Sequence, residues 1–192
     1  AREIDALMVY VSTDYVFDGA KGAPYTEFDD VRPINVYGRA KVAAEQAVAT
    51  FCRKHYIVRP AWLFAPWGKN FVMDTLSRLR RGETVRAVSD QRSSPTSALD
   101  LAKGIARLVT RPDYGVYHLT NYGVHSRYEM AQAICRAAGL DEALAQPVSA
   151  AEVKRFAPRP AFTALRNYRL ELIGQDFMRP FERALTDCVA QL

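Results

Sequence analysis

The sequence predicts an α/β fold built on a parallel sheet. Three observations carry that reading. Short apolar runs alternate with amphipathic stretches along the whole chain, the pattern of strand–helix–strand units. The 192 residues suffice for one ordinary domain, or one and a half small ones, without metal or disulfide staples. No internal repeat or low-complexity tract interrupts the alternation.

Leu7 to Ser12 is a short apolar run and reads as a buried strand. Residues 14–36 carry Gly19, Gly22, Pro24 and Pro33 and read as a long ordered loop, the kind of segment that carries function in compact domains. From Tyr37 to about Arg53 the pattern is helical and rich in alanine. Tyr56–Pro60 reads as a second strand closed by proline. Asn70–Arg81 reads as an amphipathic helix ended by Gly82. A strand at Val85–Val88 follows, and then a helix over Ser97–Val109 with Ser97 as N-cap. Gly115–Thr120 reads as a strand. Ser126 and Glu129 have capping-box spacing and open a helix to Ala138. Residues 147–165 read as irregular, and a last helix spans about Pro180–Val189.

Composition excludes several classes. No apolar run approaches the roughly 18 residues of a membrane helix. Net charge is +5, from 26 basic and 21 acidic residues, but the basic residues are dispersed, which argues against nucleic acid and for a small anionic partner. Cys52, Cys135 and Cys188 are widely spaced and suit a reducing, cytoplasmic compartment. No His or Cys spacing suggests a metal site. The ten glycines contain no G-x-G-x-x-G and no P-loop, so the chain has no phosphate-cradling turn of its own. G-x-S-x-G and H-E-x-x-H are absent as well.

The chemistry concentrates in Val11-Ser-Thr-Asp-Tyr-Val-Phe-Asp-Gly19 and Tyr37-Gly-Arg-Ala-Lys41. Tyr37 and Lys41, four apart at a helix start, share one face. They follow a hydroxyl residue, Thr13, at the carboxyl end of a strand, where ligands bind in open α/β sheets. A phenol titrates near pH ~10 and is a poor acid at neutral pH. A cation four residues away favours the phenolate. The Thr13 hydroxyl can hold a carbonyl oxygen beside the Tyr37 proton, and the Lys41 ammonium has further donors for sugar hydroxyls. This is equipment for protonating an oxygen while hydride reaches the adjacent carbon.

The segment S-T-D-Y-V-F-D-G…P-Y-x-E…P-x-N-x-Y-G-x-x-K resembles the extended short-chain dehydrogenase/reductase superfamily, and within it the dTDP-4-dehydrorhamnose reductases. Val58-Arg-Pro-Ala-Trp-Leu-Phe64, Gly68-Lys-Asn-Phe-Val72, Asp90-Gln91 with Pro95-Thr96, Gly115-Val-Tyr-His118 and Arg159-Pro160 extend the resemblance over nearly the whole chain. It implies a Rossmann-like parallel sheet whose amino-terminal strands are missing, plus a small α/β substrate-binding domain. Residues 1–62 would be the carboxyl-terminal part of the nucleotide-binding domain. Residues 63–192 would be mainly the substrate domain, with about 97–122 returning to the sheet.

The resemblance implies NADPH- or NADH-dependent reduction of dTDP-4-dehydro-6-deoxy-L-mannose to dTDP-L-rhamnose. Tyr37 would be the proton donor, with Lys41 and Thr13 completing the triad. Ser12, Tyr37, Lys41 and Pro60 would touch the cofactor. Thr13, Asp14, Tyr15, Trp62, Asn70 and Arg159 would face the nucleotide sugar. Nicotinamide preference, a homodimer and a Mg²⁺ ion at a subunit contact stay open. The expected glycine-rich turn is absent, so the chain alone is expected to bind cofactor poorly. Ala65, Arg92-Ser93 and Thr163 depart from the resemblance; Ser is the expected residue at position 163. Two other readings remain. One is a related nucleotide-sugar epimerase or dehydratase, although the dehydratases carry Glu where this chain has Tyr15. The other is a non-catalytic regulatory subunit resembling that of methionine adenosyltransferase.

Overall fold

The computed structural model describes all 192 residues. Its central sheet has three parallel strands in the order β1 (Met8–Val11), β2 (His55–Arg59), β7 (Gly115–His118). Met8 stands beside His55, and Tyr56 beside Gly115. Both strands beside β2 run parallel to it, so each connection is a crossover. The first passes through helix α1 (Val36–Phe51) and contributes most of the residues discussed below.

Between β2 and β7 lie β3 (Leu63–Phe64), α2 (Phe71–Arg80), β4 (Val85–Val88), β5 (Arg92–Ser93), β6 (Thr96–Ser97) and α3 (Ala98–Leu108). After β7 come β8 (His125–Ser126), α4 (Arg127–Ala138), β9 (Ala145–Val148), α5 (Tyr168–Leu172) and α6 (Phe181–Val189). The helix starts follow their caps. Asn70 accepts from the backbone of Val72 and Met73, Ser97 accepts from Asp100, and Ser126 with Glu129 forms the full capping box.

The segment expected to be irregular from 147 contains order at its front. Ala145–Val148 pairs in parallel with β4, and a 3₁₀ turn follows at Ala150–Glu152. Pro147 sits in β9, which pairs on one side only, and an edge strand tolerates a residue that has no N–H to give to a ladder.

Two main hydrophobic clusters organise the chain. One joins Tyr56, Val58, Tyr117, Leu119, Leu101, Leu108 and Leu170, from the central sheet, α3 and α5. The larger joins α2, α4, α6, β4 and the start of β9 through Leu76, Leu79, Met130, Ile134, Phe181 and Leu185. A smaller group of Val16, Phe17, Tyr25, Ala61 and Leu165 lies under the 14–36 loop.

Side chains finish the outer edge of β7. Arg169 donates to the carbonyls of Tyr114 (2.8 Å) and Val116 (3.3 Å), and Glu27 accepts from the His118 N–H at 2.9 Å. Gly115 permits this contact: its φ is +128°, and a Cβ there would stand 2.3 Å from Arg169 Nη1.

The α1 helix is tied to the sheet by a buried ion pair. Arg59, at the end of β2, donates to Glu45 through Nε (2.9 Å) and Nη2 (2.6 Å), and both residues are at most 6% exposed. The guanidinium also lies 5.3 Å over the Phe17 ring.

Candidate active site

β1 ends at Val11, and the next residues turn sharply inward. Ser12 and Thr13 are buried, and Asp14 opens a 3₁₀ turn with Thr13 as its cap. The Thr13 hydroxyl accepts from Tyr15 N–H (3.2 Å) and donates to Asp14 Oδ1 (3.1 Å). Asp14 Oδ2 accepts from Thr163 Oγ1 (2.5 Å) and Ser93 Oγ (3.1 Å). Residues 79 and 149 positions away thus converge on one carboxylate. The hydroxyl at 163 makes this bond as Thr in place of the expected Ser.

Burial drives the Asp14 pKa up to about 6, although Thr163, Thr13 and Ser93 all stabilise the carboxylate. His118 is fully buried, and burial followed by the charge of Arg59 pushes its pKa down to about 3. The two groups act on stability with opposite sign. Asp14 is raised, so its contribution is lost as pH climbs from about 4 to 6. His118 is depressed, so its contribution is lost as pH falls below its unfolded value. In Asp14→Asn the decline from pH 6 to 4 should therefore steepen by ~2–3 kcal/mol. Urea titrations at the two pH values measure this, and an unchanged difference would mean that Asp14 titrates normally.

On the solvent side, α1 brings Tyr37 and Lys41 to the same end of the sheet. Asn35 caps α1 through Gly38 N–H (2.8 Å), and its amide donates to Pro158 O (3.0 Å), pinning the 156–159 segment beside the helix start. Lys41 Nζ donates to Val11 O (2.9 Å) and stands 4.9 Å from the Tyr10 ring and 5.9 Å from the Tyr37 ring. Tyr37 meets Tyr15 edge-on, with centroids 6.0 Å apart, and is 52% exposed. A groove of about 390 Å³ runs between Tyr15, Ile34, Tyr37, Arg39, Phe156 and Arg159. A larger cavity of about 770 Å³, between the end of α3 and residues 173–177, holds none of the sequence-predicted residues.

Gly38 allows this assembly. A Cβ there would lie 2.2 Å from Tyr15 O and 2.8 Å from Pro33 Cβ. Gly38→Ala should push α1 off the Tyr15 turn and cost about 2–3 kcal/mol, the range of overpacked sites. Thermal unfolding checks it; an unchanged midpoint would show that the helix start shifts freely.

The structure therefore gathers Tyr15, Tyr37 and Arg159 at one groove, with Lys41 beside Tyr37 outside its lining and Thr13 and Asp14 bonded behind Tyr15. Ser12 is buried, and its hydroxyl has no partner. Pro60 is buried, and its carbonyl accepts from Asp14 N–H at 3.1 Å. Asn70 is occupied as a cap: its oxygen serves the start of α2, and its amide donates to Ala65 O (2.9 Å) and Trp67 O (3.1 Å). Trp62 holds φ at +42°, a strained value for a non-glycine residue, and its ring is covered by the Arg127 guanidinium at 4.0 Å. Tyr15 is raised above an ordinary phenol by burial and by Asp14, against the pull of Arg159, Arg127 and Arg155. From sequence, Arg127 and Arg155 go unmentioned, and Ser93 stands only as a departure from the resemblance, with no role at the site. The only local signal at 127 is its place inside the capping box.

Residues 1–192 match the family described as RmlD substrate binding domain. The chain belongs to this family. It is 37% identical over 174 residues to the spore coat polysaccharide biosynthesis protein SpsK of Bacillus subtilis, covering 91% of this chain and 61% of that protein. It is 36% identical over 190 residues to the dTDP-4-dehydrorhamnose reductase of Mycolicibacterium smegmatis, covering 97% of this chain and 58% of the relative. The chain thus spans about three fifths of the length of these two relatives. A dTDP-4-dehydrorhamnose reductase of Bacillus anthracis, solved in complex with NADP, superposes with a TM-score of 0.93 at 35% identity over 99% of this chain and 67% of that one. The RmlD-domain chain therefore has the mixed α/β architecture of the reductase superfamily. None of its helices is long and apolar enough to cross a membrane.

Proposed function

We propose that this chain carries the catalytic and sugar-binding residues of an NADPH- or NADH-dependent oxidoreductase. That enzyme reduces dTDP-4-dehydro-6-deoxy-L-mannose to dTDP-L-rhamnose, a precursor of surface polysaccharide. The observation that carries the reading is the Tyr37–Lys41 pair, set beside Tyr15 at the carboxyl end of β1. The names of the relatives supply the substrate class.

The nicotinamide end of a dinucleotide fits the residues present. Lys41 spends one of its three N–H donors on Val11 O and keeps two, and the buried Ser12 hydroxyl is unpartnered. Ser12, Tyr37, Lys41 and Pro60 would hold that end. A bound dihydronicotinamide supplies hydride to the keto carbon. Tyr37 delivers its phenolic proton to the oxygen as negative charge develops there. Lys41 stabilises the phenolate left behind, from one helical turn away. Thr13 is fixed on both sides. When its proton turns from Asp14 Oδ1 toward the substrate oxygen, Ser93 and Thr163 still hold Oδ2 of the carboxylate. Tyr15 and Trp62 supply apolar faces to the deoxysugar, and Arg159 stands at the groove's rim.

Two structural features support the domain division at about residue 62, with 97–122 returning to the sheet. β7 pairs with β2, and α3 packs in the sheet's own hydrophobic cluster, while α2, α4 and α6 share another. Turnover decides the function. NADPH and NADH oxidation should be followed with the keto-sugar, using a form extended to the length of the relatives. Consumption of cofactor only with keto-sugar is the expected result. Cofactor binding without turnover would defeat the assignment.

A further inference from the structure

Two of the residues that depart from the resemblance, Ser93 and Thr163, meet at a single atom. Ser93 Oγ and Thr163 Oγ1 both donate to Asp14 Oδ2, at 3.1 and 2.5 Å, and stand 3.1 Å from each other. Both are buried, as are Asp14 and Thr13. Their backbones are fixed independently of β1. Thr163 N–H donates to Arg92 O (2.8 Å), Arg92 bridges to Phe162, and β5, which holds Ser93, pairs with β8. The two hydroxyls therefore reach Asp14 from a framework outside the central sheet.

The other carboxylate oxygen, Oδ1, takes the proton of Thr13 at 3.1 Å, while the Thr13 oxygen accepts from Tyr15 N–H at 3.2 Å. A threonine hydroxyl has one proton, so its direction follows the acceptor. The torsion that turns an aspartate carboxyl is broad and roughly two-fold. Held by Thr13 alone, the carboxyl could swing and take the hydroxyl with it. Two donors on Oδ2 fix its plane, and with it the place of Oδ1.

We propose that Ser93 and Thr163 are positioning residues that act through Asp14 to keep the Thr13 hydroxyl in one orientation, from which it turns to a ligand oxygen beside Tyr37. The proposal rests on the reductase reading for the reaction it serves, and not for the orientation of Thr13.

Two measurements test it. In this chain, three-bond NMR couplings from the Thr13 methyl carbon to its backbone N and C′ report the side-chain rotamer. Wild type should show one rotamer, and Ser93→Ala with Thr163→Val should show averaging. In a form extended to the length of the relatives, the double variant should lose about tenfold or more in kcat, with KM for the keto-sugar moving far less. Thr163→Ser restores the hydroxyl and should recover most of the loss in the Thr163→Val single variant. If the double variant fails to fold, Ser93→Ala alone carries both measurements. A single, unchanged Thr13 rotamer in a folded variant would overturn the proposal, as would averaging already present in wild type. So would unchanged kcat in an active extended enzyme, or equal losses in Thr163→Ser and Thr163→Val. Absence of turnover in the extended wild type would instead remove the reductase reading, and the couplings would still decide whether Ser93 and Thr163 orient Thr13.

Discussion

Tyr37→Phe, in the extended enzyme, should lower kcat by about 10²–10⁴-fold, the range for losing a positioned acid. The change removes one oxygen and keeps the ring. The edge-on packing on Tyr15 at 6.0 Å therefore survives, as does the N-terminal turn of α1. Because Tyr37 is more than half exposed, its hydroxyl contributes little to folding, and the unfolding midpoint should stay within a degree or two. KM for the keto-sugar should move far less than kcat, since the lost interaction belongs to the proton-transfer step. Steady-state kinetics beside a melting curve measures all three quantities. A variant retaining a third of wild-type kcat would mean that another group delivers the proton.

Glu45→Ala should be the most damaging single change to stability, at about 3–5 kcal/mol. It leaves the Arg59 guanidinium buried at the end of β2 with no anion beside it, and Nη1 of that group already lacks a partner. For a chain of this length the loss corresponds to roughly 10 °C or more in Tm. Replacing both partners by methionine should recover most of it, because paired burial of charge is expensive and an apolar pair of similar volume is not. Thermal melts of the single and double variants form the test. If Glu45→Ala costs under 1 kcal/mol, water must reach the pair. The functional stake is positional: Glu45 lies one turn after Lys41 on α1, so this pair also fixes where the Tyr37–Lys41 face sits against the sheet.

The long elements were legible because each had both a period and a stop signal. Val85–Val88 emerged with its bounds intact, and α1, α2, α3, α4 and α6 within two residues. The two-residue strands β3, β5, β6 and β8 were not legible, because two residues carry no period and their pairing is decided by distant partners. The five-residue α5 fell below the length at which helical spacing shows. At the site, Tyr37 with Lys41 and the Thr13–Tyr15 segment could be read because the chemistry is local in sequence. Ser93, Thr163 and Arg127 could not. The first two matter only once tertiary folding sets them on Asp14, and Arg127 only once it is set over the Trp62 ring. Asn70 shows the opposite case: expected at the nucleotide sugar, its oxygen caps α2 and its amide is taken by the carbonyls of Ala65 and Trp67.

Glu27 and Arg169 have a further consequence at the rim of the sheet. An unfinished strand edge invites other chains to add to it, the first step of domain exchange and fibril growth. On β7 the groups a newcomer would need are already taken by a carboxylate and a guanidinium from the same chain. Those two side chains work as a hem. The sheet can lengthen in one direction only, across β1, and whatever strand joins there arrives next to Tyr10 and Lys41.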